Sequence, residues 1–207
     1  MSAITLWDYP KSSASYRLRI ALNLAGLAYH IETVDLLTGA QRSEDHLARN
    51  PQGLVPVLDI DGERFTQSLA ILDYLNTTRD LGLLPIDPKQ RAKVTALAHC
   101  IAVDLHPVCN LSVMRHATGG EEPARTDWMT HFIRPGLEAF EALLAGFEQT
   151  PFATGTAPSL ADVCLIPQLY NANRWGVNYA DLSRICAIEA ACAQLDAFRS
   201  AHPDAVA

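Results

Sequence analysis

The amino-acid sequence predicts an α/β domain followed by an all-helical domain. Residues 4–79 alternate short β-favouring runs with stretches of helical periodicity, in the order β-α-β, loop, β-β-α. Almost everything after residue 88 has helical periodicity alone, and a connector containing Leu, Pro and Gly at 81–87 separates the two patterns. We therefore expect a thioredoxin-like α/β domain at 1–82 and an all-α domain at 88–207.

The chain begins with a β-α-β pattern. Ile4–Trp7 is a short apolar run, and turn-forming residues lead from it to a helix that we expect to begin just beyond two serines and to stop at Gly26. Residues Tyr29–Leu36 alternate in the manner of a second strand. The polar stretch Gly39–Arg49 then predicts a loop with a short helix.

A hairpin and a helix complete the α/β pattern. Pro56 lies inside the apolar run Leu54–Leu58, and because proline cannot donate a hydrogen bond to a neighbouring strand, we expect an edge position or a cis peptide bond there. Asp61-Gly62 predicts a two-residue hairpin turn. After the second strand of this hairpin, Gln67-Ser68 opens a helix.

Helical periodicity dominates the second half of the chain. It predicts one long helix over residues 89–117 with a kink at Pro107, and another over Asp127–Phe147. The segment Ser159-Leu160-Ala161-Asp162 is a capping box, which predicts the start of a buried helix. The last helix is expected over Asp181–Ala201.

The composition argues against several classes of partner. The chain of 207 residues is 49% hydrophobic and 19% charged, with a net charge of −7 and no basic run, which disfavours nucleic acid or an anionic membrane as a partner. Neither a leader-like N-terminus nor a long apolar window is evident, so we expect a cytoplasmic protein. The five cysteines lack a Cys-x-x-Cys pair, which predicts free thiols and no metal site.

The candidate site lies where the first strand leads into the first helix. A helix N-terminus presents unpaired backbone N–H groups and attracts anions. Ser12 and Ser13 lie at this point, and a hydroxyl that donates to a thiolate there would lower the pKa of the thiol. The stretch contains no cysteine, so a thiol would have to arrive with a ligand. A serine that only caps the helix is the alternative.

Six motifs, taken in order, resemble the zeta-class glutathione transferases. They are SSASYRLRIALNLAG, NPQGLVPVL, QSLAILDYL, NLSV, TAPSLADVCLIPQ and AFRSAHP, and together they extend over nearly the whole chain. This family includes maleylacetoacetate isomerases and glutathione-dependent maleylpyruvate isomerases. The resemblance implies the glutathione transferase fold, glutathione as cofactor, and a homodimer.

The resemblance also assigns roles to individual residues. Ser12 would activate the glutathione sulfur with help from Ser13, as the family's serine pair does. The remaining contacts to glutathione implied by the family are those of Gln41, Val55, Pro56, Gln67, Ser68 and Asn110. Of these, Val55-Pro56 matches the element that pairs with the cysteinyl backbone, and Gln67-Ser68 matches the pair that holds the γ-glutamyl end.

Three further residues match substrate-facing positions of the family. Arg174 corresponds to an arginine that binds a substrate carboxylate, with a structural salt bridge as the alternative. His106 precedes a proline as in the maleylpyruvate-type sequences, and the charge of Lys11 could draw an anionic substrate, unless it is a solvated surface lysine.

The chain departs from the family's pattern at several of these positions. Ala14 replaces the family's cysteine, Cys109 replaces a glutamine, and Pro10-Lys11 replaces Trp-Arg. Leu111-Ser112 stands where maleylpyruvate-type sequences carry arginines, which favours maleylacetoacetate as the substrate.

The function implied is glutathione-dependent cis–trans isomerisation of maleylacetoacetate to fumarylacetoacetate in tyrosine and phenylalanine catabolism. Maleylpyruvate isomerisation and glutathione transfer to small α-haloacids remain alternatives, so the partner is a small dicarboxylate or a haloacid. A non-catalytic glutathione-fold binding protein is a third reading. A disulfide oxidoreductase is disfavoured because no cysteine lies near the N-terminus.

Overall fold

The computed structural model describes residues 3–206 of the chain, which form two compact units. The first unit contains the chain up to Leu81 together with the segment from Leu195 onward, and the second extends from Gly82 to Gln194. The C-terminal segment therefore packs with the α/β unit, although its sequence pattern continues that of the preceding helices. The division into domains at 1–82 and 88–207, with separate binding roles, stays a prediction.

The first unit has the thioredoxin-like plan that the sequence predicts. Its elements in chain order are β1 (Thr5–Asp8), α1 (Ser13–Leu24), β2 (His30–Thr33), α2 (Glu44–Arg49), β3 (Val57–Ile60), β4 (Glu63–Thr66) and α3 (Ser68–Thr78). The four strands are arranged in the order β2-β1-β3-β4, with β1 parallel to β2 and the other pairs antiparallel. A single 3₁₀ turn, Ala40–Arg42, precedes α2.

Local chemistry explains where these strands begin and end. The hairpin turn has φ 56° at Asp61 and φ 84° at Gly62, as the Asp-Gly pair predicts. The peptide bond between Val55 and Pro56 is cis, and β3 begins only after it. Strand β2 is shorter than predicted because Asp35 begins a turn, accepting the Leu37 N–H on its side chain at 2.8 Å.

One buried arginine joins four parts of the first unit. Arg19 on α1 donates from Nη1 to both carboxylate oxygens of Asp8 at the end of β1, at 2.8 and 2.6 Å. Its Nη2 donates to the Pro10 carbonyl at 2.8 Å, and its Nε donates to the Ala201 carbonyl at 2.9 Å. Because the Arg19 and Asp8 side chains are both fully buried, this network fixes the β1–α1 loop and the C-terminal segment to α1.

The second unit is built from helices, apart from one isolated bridge between Phe152 and Gly155. It contains α4 (Pro88–His99), a π-helical turn (Cys100–Leu105), α5 (His106–Val108), α6 (Leu111–Thr118), α7 (Ala124–Leu143), a 3₁₀ turn (Leu144–Gly146), α8 (Leu160–Arg174) and α9 (Ser183–Cys192). Two short helices, α10 (Asp196–Arg199) and α11 (Pro203–Val206), follow in the C-terminal segment.

The prediction of a single helix over 89–117 is wrong, because the helix is interrupted at Cys109 and Asn110. Asn110 has an extended backbone, and its Oδ1 accepts the Ser112 N–H at 3.1 Å, so it caps a new helix. Pro107 lies inside the continuous helical stretch Pro88–Val108, and the 43° bend to Leu111–Thr118 falls just beyond it.

The predicted final helix over Asp181–Ala201 is also interrupted. Helix α9 ends at Cys192, and Leu195 takes an extended conformation before α10 begins. The segment beyond this break belongs to the first unit.

The capping box at the start of α8 is confirmed. Asp162 Oδ2 accepts the backbone N–H of Ser159 at 2.8 Å and its hydroxyl at 2.7 Å, while Oδ1 accepts the Ala153 N–H at 2.8 Å. Burial raises the pKa of the Asp162 carboxyl, and these hydrogen bonds oppose the rise. The box fixes the loop before α8 to its first turn.

The five cysteines are free thiols, as predicted, with Cys109, Cys164 and Cys192 buried. Within residues 3–206, no group of three or more His, Cys, Asp or Glu side chains is placed to hold a metal ion. In the same range no single helix is long and apolar enough to cross a membrane, although Pro88–Val108 and Leu111–Thr118, bent by 43°, meet that test as a pair.

Asp8→Asn should destabilise the protein far more than Asp59→Asn. Loss of the Asp8 charge leaves the Arg19 guanidinium buried without its counter-ion, at a cost of about 3–5 kcal/mol. Asp59 pairs with Arg64 in partly exposed surroundings, so its loss should cost about 1 kcal/mol or less. Urea unfolding of the two variants measures the difference, and equal losses would show that the Asp8–Arg19 pair is not a central constraint.

Candidate functional site

Three loops meet at one end of the four-stranded sheet. Trp7 pairs with Val57 across β1 and β3, and Val57 pairs with Thr66 across β3 and β4. The chain therefore leaves β1, enters β3 and leaves β4 at the same sheet edge. This register brings the β1–α1 loop, the loop before β3 and the start of α3 together, which groups Ser12, Ser13, Val55, Pro56, Gln67 and Ser68.

Ser12 caps α1. Its backbone is extended, and its Oγ accepts the Ser15 N–H at 3.2 Å, so the capping role proposed as an alternative is present. A hydroxyl has two acceptor lone pairs and one donor, and capping leaves the O–H of Ser12 available to donate to a ligand. The first turn of α1 carries no acidic residue, so the positive end of its dipole is not compensated. Ser13 begins the helix and is buried.

The N-terminus of α3 forms a second position suited to an anion. Gln67 precedes the helix with φ 69°, and its side chain does not cap α3 but donates from Nε2 to Gln52 Oε1 at 2.8 Å. The first-turn amides of α3 therefore have no side-chain acceptor. The buried Ser68 hydroxyl accepts a hydrogen bond from Arg17 Nη1 at 3.2 Å, which brings a guanidinium to this end of the helix.

The loop before β3 presents a free stretch of backbone. His46 Nε2 and Asn50 Nδ2 both donate to the Leu54 carbonyl, at 3.0 and 2.9 Å, and so fix the chain just before the cis-proline. The next residue, Val55, is half-buried, and its backbone N–H and C=O make no hydrogen bond in the described part of the chain. An extended peptide could pair with these groups as with a strand edge.

Gln41 lies against the same loop through Gly53. Its Oε1 is buried and has no hydrogen-bond partner among the described residues. Gly53 has φ +61°, and a Cβ there would lie 2.8 Å from Arg42 Nη1 and 3.0 Å from the Gln41 carbonyl oxygen. Only glycine combines this backbone conformation with this close approach. The Gln41 backbone is thus held against the loop, and its side-chain Oε1 is unengaged.

The predicted site residues Asn110, His106 and Arg174 belong to the helical unit. Asn110 caps α6, and His106 begins α5. Burial raises the pKa of the neighbouring Cys109 thiol to about 12, so this replacement of the family's glutamine stays a neutral thiol at physiological pH.

Arg174 ends α8 as an exposed residue. Its guanidinium lies 5.9 Å from the centre of the Tyr170 ring, and it makes no ion pair within residues 3–206. The alternative of a structural salt bridge therefore lacks support, and the side chain is available to an anion. Lys11 is likewise exposed and without an ion pair in that range, and its role stays a prediction.

Several residues of the site could not be assigned from the sequence pattern. Arg17 is one of them, because only the structure shows that its guanidinium donates to the Ser68 hydroxyl. An arginine within an otherwise apolar helix face, buried to 1% exposure, is the signal that could have indicated a role. His46 gave no such signal, because its contact with the Leu54 carbonyl depends on how the loop folds back.

Comparison with known proteins agrees with this arrangement. Residues 2–77 match the family model for the glutathione S-transferase N-terminal domain. Maleylacetoacetate isomerase of Rhizobium meliloti (strain 1021) is 56% identical over 203 residues, which cover 96% of this chain and 95% of the relative.

Solved structures show the same relationship. The holo structure of a maleylpyruvate isomerase, described as a bacterial glutathione S-transferase of the zeta class, superposes with a TM-score of 0.92 at 38% identity over 97% of both chains. Maleylacetoacetate isomerase from Anaeromyxobacter dehalogenans 2CP-1, with glutathione bound in its active site, has a TM-score of 0.87 at 38% identity over 98% of this chain and 96% of the other. The chain therefore belongs to the zeta class of glutathione transferases, the family of the maleylacetoacetate and maleylpyruvate isomerases.

Proposed function

We propose that this chain is a glutathione-dependent isomerase that converts maleylacetoacetate to fumarylacetoacetate in the catabolism of tyrosine and phenylalanine. The 56% identity to the Rhizobium meliloti maleylacetoacetate isomerase over nearly the full length of both chains carries this proposal. The chemistry of the site supports it, because a serine hydroxyl at a helix N-terminus suits activation of a thiol. As the family resemblance implies, the enzyme works as a cytoplasmic homodimer.

The residues at the sheet edge fit glutathione, a tripeptide with two carboxylates, a thiol and an extended backbone. The first-turn amides of α3 and the Ser68 hydroxyl suit the carboxylate of the γ-glutamyl end, and Gln67 lies beside them. The unengaged backbone of Val55, next to Pro56, suits the cysteinyl backbone. The Gln41 amide suits the glycyl end, and Asn110 is a further contact.

Bound glutathione supplies a thiolate that adds reversibly to the cis double bond of the substrate and leaves after rotation about the resulting single bond. The Ser12 O–H donates a hydrogen bond to the sulfur while its lone pair caps α1, and Ser13 assists from the first helical position. This hydrogen bond and the positive end of the helix both favour the charged sulfur over the thiol, so they lower the thiol pKa.

Arg174 supplies the main attraction for the substrate. Its guanidinium binds a carboxylate and thereby places the double bond for attack. His106 and Lys11 are further substrate-facing residues in this proposal. Leu111-Ser112 provides no arginine where maleylpyruvate-type sequences have them, which favours maleylacetoacetate.

Maleylpyruvate is the second candidate substrate, because a maleylpyruvate isomerase is similar over 97% of this chain with a TM-score of 0.92. Small α-haloacids need the thiolate but no rotation step, so they form a third class of substrate.

The decisive experiment compares the two isomerase substrates at fixed, saturating glutathione. The purified protein should isomerise maleylacetoacetate with a higher kcat/KM than maleylpyruvate, measured by the decrease in substrate absorbance, and should show no turnover without glutathione. A preference for maleylpyruvate would make it the maleylpyruvate-type enzyme. No activity on either substrate would exclude an isomerase.

Ser12→Ala should reduce turnover at neutral pH by about 10- to 100-fold, the effect of one hydrogen bond to a charged group. The pKa of bound glutathione should rise, so the activity profile should move to higher pH. Ultraviolet absorbance of the thiolate against pH measures this shift.

Ser43→Ala is the matched control for Ser12→Ala, since Ser43 Oγ caps α2 in the same way by accepting the His46 N–H at 3.3 Å. This variant should lose a comparable N-cap hydrogen bond, which lowers the free energy of unfolding by about 1 kcal/mol, and it should leave the pKa of the glutathione thiol unchanged. If Ser13→Ala moves the thiol pKa and Ser12→Ala does not, the roles of the two serines are reversed.

Gly53→Ala should weaken glutathione binding several-fold, whereas Gly62→Ala should not. Both glycines have positive φ, so each alanine costs about 1–2 kcal/mol of backbone strain. Only at Gly53 does the new Cβ crowd Arg42 and the Gln41 backbone, because nothing lies within 4 Å of a Cβ at Gly62. Calorimetric titration with glutathione measures the difference. Unchanged binding in Gly53→Ala would show that the turn containing Gln41 takes no part in binding glutathione.

A further inference from the structure

Two arginines of the helical unit stack on aromatic rings at the end of α8. Arg174 lies over the Tyr170 ring, as described above. Arg125, in the first turn of α7, places its guanidinium 5.4 Å from the centre of the Trp175 ring. Trp175 directly follows Arg174 as the C-cap residue of α8. The last turn of α8 is therefore flanked by two guanidinium groups, each held on an aromatic face.

The guanidinium of Arg125 has hydrogen-bond donors to spare. Arg125 forms a long ion pair with Glu122, whose Oε1 lies 3.7 Å from Nε, beyond hydrogen-bond distance. The other oxygen of Glu122, Oε2, accepts the Thr126 hydroxyl at 2.8 Å and the Thr126 N–H at 3.3 Å. The Nε atom of Arg125 is buried and has no hydrogen-bond partner in the described residues. A buried donor of this kind requires an acceptor.

The first turns of α7 bring Arg125 close to the elements that carry the other candidate residues of the helical unit. One turn beyond Arg125, the indole N–H of Trp128 donates to the Val108 carbonyl at 2.9 Å. Val108 ends α5, which His106 begins, and Asn110 follows two residues later. The first turns of α7 thus contact both the α5–α6 junction and the end of α8, where Arg174 lies.

Building on the function proposed above, we infer that Arg125 is a second carboxylate-binding residue and that, with Arg174, it selects dicarboxylate substrates. Maleylacetoacetate carries a carboxylate at each end, and one guanidinium can bind each of them. A small α-haloacid has a single carboxylate and needs only one arginine. Arg125 therefore adds affinity for the long dicarboxylate and little for the monocarboxylate.

The test compares Arg125→Gln with Arg184→Gln, a control that removes the same charge from an exposed arginine on α9. With glutathione present, adipate and hexanoate serve as non-reacting dicarboxylate and monocarboxylate probes, and tryptophan fluorescence reports binding because Trp175 contacts Arg125. Wild-type protein should bind adipate more tightly than hexanoate. Arg125→Gln should weaken adipate binding by about 10- to 100-fold and leave hexanoate binding unchanged.

Turnover provides the second measurement. Arg125→Gln should raise the KM for maleylacetoacetate with little change in the KM for dichloroacetate or glutathione, whereas Arg174→Gln should raise the KM of both substrates. Arg125→Lys should recover part of the loss because it keeps the charge but not the two-pronged geometry. Arg184→Gln should match the wild type in each measurement.

Three results would overturn the inference. These are an adipate preference that survives Arg125→Gln, equal weakening of both probes with a lowered melting temperature, and no adipate preference in the wild type. An adipate preference that depends on Arg125 in a protein without isomerase activity would refute the proposed function and support the inference.

Discussion

The buried pair of Arg19 and Asp8 is the constraint on which the first unit depends. A charge without exposure to solvent is tolerated only when its hydrogen bonds are satisfied, and Arg19 achieves this by reaching a strand end, a loop carbonyl and a carbonyl of the C-terminal segment. The loop it holds leads directly into Ser12. The position of the hydroxyl to which we assign thiol activation is therefore set by a buried residue outside the proposed site, and lysine could not replace its planar set of donors.

The proposed anion site belongs to a protein that is acidic as a whole. A net charge of −7 repels dicarboxylates and glutathione at long range, but salt screens exposed charges beyond about 8 Å under physiological conditions. Attraction must therefore arise at contact distance. In the first unit, the helix N-termini of α1 and α3 present backbone dipoles and Arg17 presents a full charge. In the helical unit, Arg174 presents a full charge. This division allows an acidic surface and an anion-binding site in one chain.

Much of the fold follows from local sequence chemistry, and the exceptions have physical causes. The Asp61-Gly62 turn, the Ser159–Asp162 capping box and the helix beyond Gln67 were predictable because each depends on residues close in sequence. The break at Asn110 was not, because apolar periodicity continues through it and an asparagine can either cap a helix or lie within one.

The residues of the candidate site also differ in whether the sequence alone could predict them. The serine at the N-terminus of α1 and the unusual Pro56 are visible in the sequence, since both are local signals. The pairing of Arg17 with Ser68 joins residues 51 positions apart, and periodicity contains no information about such a contact. The stacking of Arg125 on Trp175 depends on tertiary packing in the same way.

The hydrogen bond from Arg19 to Ala201 has a consequence for the synthesis of the protein. Its two partners are separated by 182 residues, so the carbonyl that completes the Arg19 network is synthesised long after Arg19 itself. Nascent chains generally begin to fold from the N-terminus as they emerge. Here all four strands of the sheet precede residue 67, but the Arg19 guanidinium lacks one of its acceptors until Ala201 has been synthesised.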